Sequence, residues 1–240
     1  MTRSPDHNAW RGPRPLTNPL TVARLGEIYT HTAAFYDGLV AEKQAQAKLT
    51  AIGMLGRRRG ERFLEIGAGT GWAFRRIIEV SGPEHAYASD VARGMLEVAG
   101  AALSDVAGGQ GPKNGAASLV LADGRSLPLA DASLDCLLNT YTFEVMAEPD
   151  IAAMLDDMLR VLVPGGRTVI VNLTDATDGG AEDEAMILDW KSRYAADPEF
   201  FGGARPLQLS EMLRAHGFRR ITRYYVGPDW PSEVLLAFRP

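Results

Sequence analysis

Two spacings of apolar residues alternate along the central part of the chain. Between residues 62 and about 173, short runs rich in apolar and β-branched residues are followed by stretches in which apolar residues recur every three or four positions. The first spacing is typical of buried strands and the second of helices. Strands that alternate with helices in this way predict right-handed β-α-β crossovers and therefore a parallel sheet.

The helical spacing also gives approximate boundaries. Gly82-Pro83 and Pro164-Gly165-Gly166 are expected to end two helices, because glycine adopts the left-handed C-cap conformation and proline cannot continue a helix. Residues 104–116 are glycine-rich and have no apolar periodicity, so they are predicted to form a surface loop. Helices are predicted at about residues 72–80, 92–103, 149–162 and 182–196.

The N-terminal part of the chain has a different pattern. Residues 1–16 are rich in proline and arginine and are expected to be mobile. Asn18-Pro19 predicts a helix start, with asparagine as the N-cap and proline in the first turn. Apolar residues at helical spacing continue this helix to about Leu55, and a break near residues 30–32 is left open.

The C-terminal part predicts a hairpin. A helix at about residues 208–216 ends at a glycine and is followed by strands at 218–226 and 233–238. Because the connection between these two strands is so short, they must run antiparallel. No internal repeat is present, and we expect one domain from residue 17 to the end.

Composition limits the class of protein. A chain of 240 residues, 46% hydrophobic and 23% charged, suffices for one large α/β domain. The net charge of -5 argues against a nucleic-acid partner. The single cysteine, Cys136, excludes an internal disulfide and a cysteine-ligated zinc. No apolar run reaches the roughly 18 residues of a membrane helix and no signal-peptide core is present, so we expect a cytoplasmic protein without membrane insertion.

A glycine-rich turn is the most informative segment. Residues 63–71 read Phe-Leu-Glu-Ile-Gly-Ala-Gly-Thr-Gly, a short strand that runs into the turn before a helix begins. Such a turn brings backbone N–H groups close to a phosphate or another part of a nucleotide. A dinucleotide-binding turn requires a small residue at the sixth position of G-x-G-x-x-G, and Trp72 occupies that position here.

Acidic residues end the next two predicted strands. Asp90 lies about 20 residues beyond the glycine turn and can accept hydrogen bonds from both ribose hydroxyls, a geometry that NAD sites share. Asp123 ends the third predicted strand. Two further segments follow, residues 127–135 (Leu-Pro-Leu-Ala-Asp-Ala-Ser-Leu-Asp) and residues 159–167 (Leu-Arg-Val-Leu-Val-Pro-Gly-Gly-Arg).

Together these segments resemble, in order, the motifs of the class I S-adenosylmethionine (SAM)-dependent methyltransferases, and in particular the subgroup related to ubiquinone/menaquinone-biosynthesis methyltransferases. The resemblance covers about 100 residues, and Leu134 replaces the usual aromatic residue. It implies an α/β, Rossmann-like three-layer sandwich with a seven-stranded, mostly parallel sheet, a C-terminal antiparallel hairpin and an N-terminal helical lid. The implied parts are a lid at 17–56, a SAM-binding core at 62–173, a substrate-cap segment at 174–206 and a C-terminal helix and hairpin at 207–240.

The resemblance also implies a SAM-binding set. Met95 would pack on the adenine ring, Asp123 would accept a hydrogen bond from the adenine amino group, and Glu65 would fix the glycine turn or touch the amino-acid end of SAM. The complete set of implied SAM contacts is Glu65, Gly67, Ala68, Gly69, Gly71, Asp90, Met95, Asp123, Gly124 and Asn139.

The sequence gives less information about the residues that would bind the methyl acceptor than about those that would bind SAM. A general base is optional, because SAM supplies an activated methyl group and the protein mainly positions the reactants. The candidate bases are His31 in the lid, with Tyr141 and Glu144 after the fourth strand. Candidate acceptor contacts are Tyr29, Tyr36, Trp190 and Tyr194.

The resulting hypothesis is an enzyme that methylates a small organic molecule, a quinone precursor or a secondary metabolite, by in-line displacement. A non-catalytic or repurposed protein that binds SAM or its product is the first alternative. An NAD(P)-dependent oxidoreductase is the second, although Trp72 and the terminal hairpin oppose it. RNA methylation would require a basic face that the sequence lacks, and a homodimer is left open.

Overall fold

One mixed sheet organises the fold. The computed structural model describes residues 16–82, 84–106, 117–176, 178–228 and 230–240. Within these residues the sheet has seven strands, in the order β3-β2-β1-β4-β5-β7-β6. They are β1 Phe63–Ile66, β2 Ala86–Asp90, β3 Ser118–Leu121, β4 Leu134–Thr140, β5 Leu162–Leu173, β6 Arg219–Val226 and β7 Ser232–Phe238.

Strand direction follows the sequence prediction. The pairs among β1 to β5 are parallel, whereas β7 is antiparallel to both of its neighbours, β5 and β6. The predicted parallel sheet and C-terminal hairpin are therefore confirmed. The chain builds outward from β1 to β3 and then returns to place β4 on the other side of β1. Ligands of open α/β sheets bind beyond the carboxyl ends of the strands at such a reversal.

Two layers of helices cover the sheet, as the three-layer prediction requires. The helices are α1 Val22–Leu55, α2 Trp72–Ser81, α3 Arg93–Val106, α4 Glu148–Val161, α5 Ala181–Ala196 and α6 Ser210–Ala215. Successive residues of each strand point to opposite faces, so Leu64 packs with α4 and α6, whereas Phe63 packs with α1 and α2. The apolar stripe of α2 begins at Ala73 and Phe74 and packs against the sheet.

Helix α1 is long and continuous. It begins after Thr21, whose side chain accepts a hydrogen bond from the Arg24 N–H, and it ends at Gly56 in the left-handed conformation. The predicted start at Asn18 is wrong, because that side chain instead bonds the carbonyl oxygen of Val145 and the N–H of Leu20. The helix is also not broken near residues 30–32.

The two halves of α1 have different neighbours. Its first half lies against the start of α3, where a Cβ added to Gly94 would stand only 2.5 Å from the Thr30 carbonyl oxygen. Its second half is buried in the sheet core through Ala47, Ala51 and Leu55. One helix therefore serves both as a cover near the strand ends and as part of the core.

Three other sequence predictions need correction. Residues 164–166 lie inside β5 rather than between a helix and a strand, because the chain passes directly from α4 into β5. Strand β3 ends at Leu121, two residues before Asp123. Helix α3 continues to Val106, and the rest of the predicted loop, residues 107–116, lies outside the described residues, as do residues 1–15 of the predicted tail at 1–16. In the part of the chain that is described, no helix is both long and apolar enough to cross a membrane.

Candidate functional site

A cleft of about 870 Å³, partly open to solvent, lies at the carboxyl ends of the parallel strands. Its walls come from the turns after β1, β2, β3 and β4 and from α1, including Lys48 of its second half. The predicted site residues that line it are Tyr29, Tyr36, Gly67, Ala68, Gly69, Asp90, Met95, Asp123, Gly124 and Tyr141.

The glycine turn after β1 has the backbone geometry that the sequence predicts. Gly67, Gly69 and Gly71 have φ angles of 67°, 56° and 77°, a region that side chains disfavour. A Cβ added to Gly69 would meet no atom within 4 Å, although this residue lines the cleft. The space above its backbone is thus free for a ligand to approach closely.

Asp90 braces this turn from β2. One carboxylate oxygen accepts a hydrogen bond from the Gly69 N–H and the other accepts one from the Ala92 N–H, each at 2.8 Å. Burial raises the pKa of Asp90, and these bonds oppose that shift. Each oxygen keeps a second lone pair, so Asp90 can also accept the two hydroxyls of a ribose. The cleft therefore suits the sugar that the sequence predicts.

Asp123 lies in the same cleft, but a neighbour already binds its carboxylate. The Arg125 guanidinium donates Nε to both oxygens at 3.1 and 3.0 Å and a terminal nitrogen to one of them at 2.6 Å. Burial opposes ionisation of Asp123, but the bonds from Arg125 outweigh it and lower its pKa. Asp123 is thus an ionised acceptor held in a fixed orientation, with less free bonding capacity than Asp90.

Small residues and sulfur atoms shape the cleft near Asp123. A Cβ added to Gly124 would lie 2.8 Å from Ile66 and 3.1 Å from the sulfur of Met154, so a larger residue would have to displace these side chains. Met95 is buried and also lines the cleft. Methionine sulfur makes favourable contacts with aromatic rings. The lining therefore includes side chains that suit a purine base.

Tyrosines from α1 and β4 form the other walls. The rings of Tyr29 and Tyr36 meet edge to face, with centroids 5.8 Å apart. Tyr141 follows β4 with a φ of 57°, a strained conformation for a bulky residue. Its hydroxyl is 2.7 Å from the Ser232 hydroxyl in a buried contact. The hydroxyl is therefore already hydrogen-bonded to another side chain, which does not favour the role of base predicted for it.

Other predicted SAM contacts lie beneath the cleft instead of on its surface. Asn139 is buried in β4 and donates to the Ile66 carbonyl oxygen at 2.8 Å, which ties β4 to β1. Glu65 is fully buried in β1, and one of its carboxyl oxygens has no hydrogen-bond partner among the described residues. Gly71 ends the turn, where a Cβ would lie 3.0 Å from the Ala99 Cβ. These residues are placed to support the turn rather than to touch a ligand.

The candidate base His31 and the remaining predicted acceptor contacts lie outside the cleft lining. His31 is exposed, and its ring nitrogen is 2.8 Å from the Glu27 carbonyl oxygen on its own helix. Trp190 stacks on another ring and donates its indole N–H to the Ala204 carbonyl oxygen at 2.9 Å. Tyr194 is buried, and its hydroxyl donates to the Thr17 carbonyl oxygen. The three side chains therefore bond backbone groups of the protein and are not part of the cleft lining.

Glu144 is buried behind the cleft and has a structural partner. Its carboxylate accepts the Leu173 N–H at 2.6 Å, which joins the segment after β4 to the end of β5. Burial raises the pKa of Glu144 to about 8. Between its usual pKa of 4.5 and that value, the folded protein binds more protons than the unfolded chain. The resulting stability is present below about pH 4.5 and is lost as the pH rises towards 8.

We therefore expect Glu144→Gln to reduce the pH dependence of stability. The free energy of unfolding of the wild type should fall between pH 5 and 8 by up to about 1.4 kcal/mol per pH unit for each such group. The glutamine oxygen can still accept the Leu173 N–H, so the variant should have a shallower slope. Urea unfolding across this pH range measures it. Parallel slopes for the two proteins would show that Glu144 is ionised in the folded state.

The sequence analysis missed several cleft residues. Thr70 lies inside the glycine turn and Thr142 directly follows Tyr141, and Thr70 donates its hydroxyl to Asp37 of α1 at 2.7 Å. Lys48 was also missed, although a lysine on the buried stripe of a helix, beside Ala47 and Ala51, is a readable signal. The full set of missed lining residues is Val22, Leu25, Lys48, Ile66, Thr70, Val91, Ala122, Thr140, Thr142, Val145, Met146 and Met154.

Known proteins match the part of the chain that contains the glycine turn. A family model described as a methyltransferase domain matches residues 63–166. The chain is 30% identical over 160 residues to the ubiquinone/menaquinone biosynthesis C-methyltransferase of Pseudomonas fluorescens, a match that covers 65% of this chain and 60% of that protein. It is 30% identical over 201 residues to the malonyl-acyl-carrier-protein O-methyltransferase of Methylococcus capsulatus, over 82% of this chain and 66% of that protein. The chain thus spans about 60% of the length of the first of these relatives.

Solved structures share the fold. The cyclase SpnF superposes with a TM-score of 0.71 at 18% identity, over 94% of this chain and 98% of that one. A SAM-dependent methyltransferase from Thermotoga maritima superposes with a TM-score of 0.62 at 18% identity, over 90% of this chain and 100% of that one. At such low identity these likenesses are evidence for the fold alone.

Proposed function

We propose, on the premise that residues 63–166 form a methyltransferase domain, that the protein transfers a methyl group from SAM to a small organic molecule. One observation carries the proposal. Asp90 and Asp123, which end or follow adjacent strands, line a single cleft with the open glycine turn. One of these carboxylates can therefore bind the sugar of a nucleoside, and the other can bind its base.

The lining residues fit the parts of SAM. We assign the ribose hydroxyls to Asp90, the adenine ring to the lining residues Met95 and Gly124, and the adenine amino group to Asp123. Gly69 leaves room for the ligand against the backbone of the turn. When bound, SAM supplies a methyl group that its positively charged sulfur already activates. The task left to the protein is to position the acceptor and to exclude water.

The acceptor would enter beside α1. Val22, Leu25 and Tyr29 of α1 line the cleft together with Val145 and Met146, and this part of the lining is apolar and aromatic. Such a wall suits a flat organic molecule with little charge. The names of the relatives point to quinone precursors as one acceptor class, and a secondary metabolite is the other that we retain. Since His31 and Glu144 lie outside the lining, we assign no general base.

A repurposed protein is the second candidate. SpnF, whose fold covers 94% of this chain, is named as a cyclase and not as a methyltransferase. The same fold is therefore compatible with other chemistry. This candidate predicts binding of SAM or its product without transfer of the methyl group.

The test combines binding and turnover. Calorimetric titration with S-adenosylhomocysteine (SAH) measures cofactor binding, and SAM with a labelled methyl group reports transfer to a panel of demethylated quinones, phenols and carboxylic acids. Binding with transfer is the expected result. Binding without transfer to any acceptor would favour the repurposed protein, whereas binding of NADH and not of SAH would overturn both candidates.

We extend the proposal to the setting of the protein. A net charge of -5 supports a protein without a nucleic-acid partner, and we propose a cytoplasmic location. Association of two copies is retained as a hypothesis that sedimentation equilibrium would test.

A further inference from the structure

Lys48 is a buried cation on the wall of the cleft. It is only 7% exposed and lines the cleft from the second half of α1. Among the described residues, no carboxylate oxygen lies within 4.0 Å of its ammonium group, and it donates no hydrogen bond. The ammonium group instead lies 5.7 Å and 5.6 Å from the ring centroids of Trp72 and Tyr141. A buried lysine normally has an anionic partner, so this group is available to a ligand.

The electrostatic surroundings agree with that reading. Burial lowers the pKa of Lys48, and Arg76 adds to the effect, whereas Glu65, Asp37 and Glu144 oppose it. Burial raises the pKa of Glu65, the strongest of these opposing groups, to about 8, so its own negative charge is weakened at neutral pH. An anion that binds beside Lys48 would therefore balance a positive charge that the carboxylates of the protein leave largely unbalanced.

The position of Lys48 along the cleft indicates which part of a ligand it would meet. The two acids assigned to the nucleoside lie at β2 and β3, at one side of the sheet reversal. Lys48 is on the opposite side, close to Tyr141 after β4. A molecule whose sugar and base occupy the first side extends its remaining part towards the second.

We propose that Lys48 binds the carboxylate at the amino-acid end of SAM and of its product. The assignment rests on the proposed function, since it requires SAM in the cleft. The same ammonium group could instead meet an acidic group of the methyl acceptor, and the two sources of a carboxylate have different consequences for binding.

The test compares two ligands and two lysines. SAH carries the amino-acid group, whereas 5′-methylthioadenosine has the same nucleoside and sulfur without it. We expect Lys48→Met to weaken SAH binding by about 10- to 100-fold in calorimetric titrations and to change the affinity for 5′-methylthioadenosine less than about twofold. Lys43→Met is the matched control, because this lysine lies on the same helix over the Trp230 ring and does not line the cleft. Lys48→Arg, which keeps the charge, should recover most of the lost SAH affinity.

Thermal unfolding separates this role from a structural one. Methionine removes an unpaired buried charge, so the ligand-free Lys48→Met protein should melt at or above the temperature of the wild type, while its stabilisation by SAH shrinks. If the methionine variant does not fold, Lys48→Gln gives the same comparison with a polar side chain.

Three outcomes would overturn the assignment while the proposed function stands. They are an unchanged SAH affinity, an equal loss for both ligands, and an increase confined to the KM of an acidic acceptor, which would assign Lys48 to the acceptor. A wild-type protein that binds neither ligand would instead overturn the proposed function, and the assignment of Lys48 with it.

Discussion

Replacing Asp90 with alanine is expected to weaken SAH binding by at least about 100-fold. The substitution removes the proposed acceptor of both ribose hydroxyls. It also leaves the N–H groups of Gly69 and Ala92 without their 2.8 Å partners, so the glycine turn loses its brace. Each unsatisfied buried group costs about 1–3 kcal/mol. Part of this cost should appear as a lower free energy of unfolding, and calorimetry with urea unfolding measures both quantities.

Two comparisons isolate the role of Asp90. Asp131→Ala removes a carboxylate that is 79% exposed and pairs with Arg160 on the surface, so it should leave binding unchanged. Asp90→Asn keeps one acceptor oxygen and should be intermediate between alanine and the wild type. An Asp90→Ala protein that still binds SAH as the wild type does would exclude Asp90 from the ribose site and remove the main support for a nucleoside in this cleft.

Replacing Gly67 with alanine should have the largest effect on stability. Its φ of 67° costs an L-residue about 1–2 kcal/mol. The new Cβ would also lie 2.1 Å from the Thr142 hydroxyl oxygen and 2.9 Å from the Thr142 Cβ. Rotation of the threonine side chain cannot relieve the second contact, so the turns after β1 and β4 must separate. We expect a loss of about 3–5 kcal/mol in the free energy of unfolding, together with loss of SAH binding.

Gly60→Ala provides the matched control. This glycine has a φ of 84°, but a Cβ there would meet no atom within 4 Å, so its substitution carries only the backbone cost. The difference between the two alanine variants measures the clash with Thr142. In the double variant Gly67→Ala with Thr142→Gly, most of that difference should disappear. Equal destabilisation at positions 60 and 67 would mean that the two turns are not in contact.

Features that depend on local sequence were predictable. The glycine turn, its strand and the following helix lie within residues 63–81, and the short connection before β7 allows only an antiparallel pair. Asp90 and Asp123 were predictable as a pair because the carboxyl ends of adjacent parallel strands meet at one edge of a sheet. The order of strands and helices was therefore enough to predict most of the fold and the part of the site assigned to the nucleoside.

Features that depend on distant contacts were not predictable. The hydrogen bond between Tyr141 and Ser232 and the burial of Tyr194 against Thr17 join residues far apart in the chain, whereas the sequence predicted a catalytic role for Tyr141 and an acceptor contact for Tyr194. The start of α1 was misplaced for the same reason, since the Asn18 side chain bonds Val145 instead of capping a helix. Lys48 had a local signal, but only the fold shows that its buried stripe reaches the cleft.

The continuity of α1 connects two places that the sequence separates. Its 34 residues extend about 50 Å, from the cleft lining at Val22 to the sheet core at Leu55. We expect a change in packing against Leu55 or Ala51 to alter the tilt of the whole helix, because no break separates its two ends. The set of molecules that the cleft admits can then evolve through repacking at the buried end, without substitution of any residue that a ligand would touch.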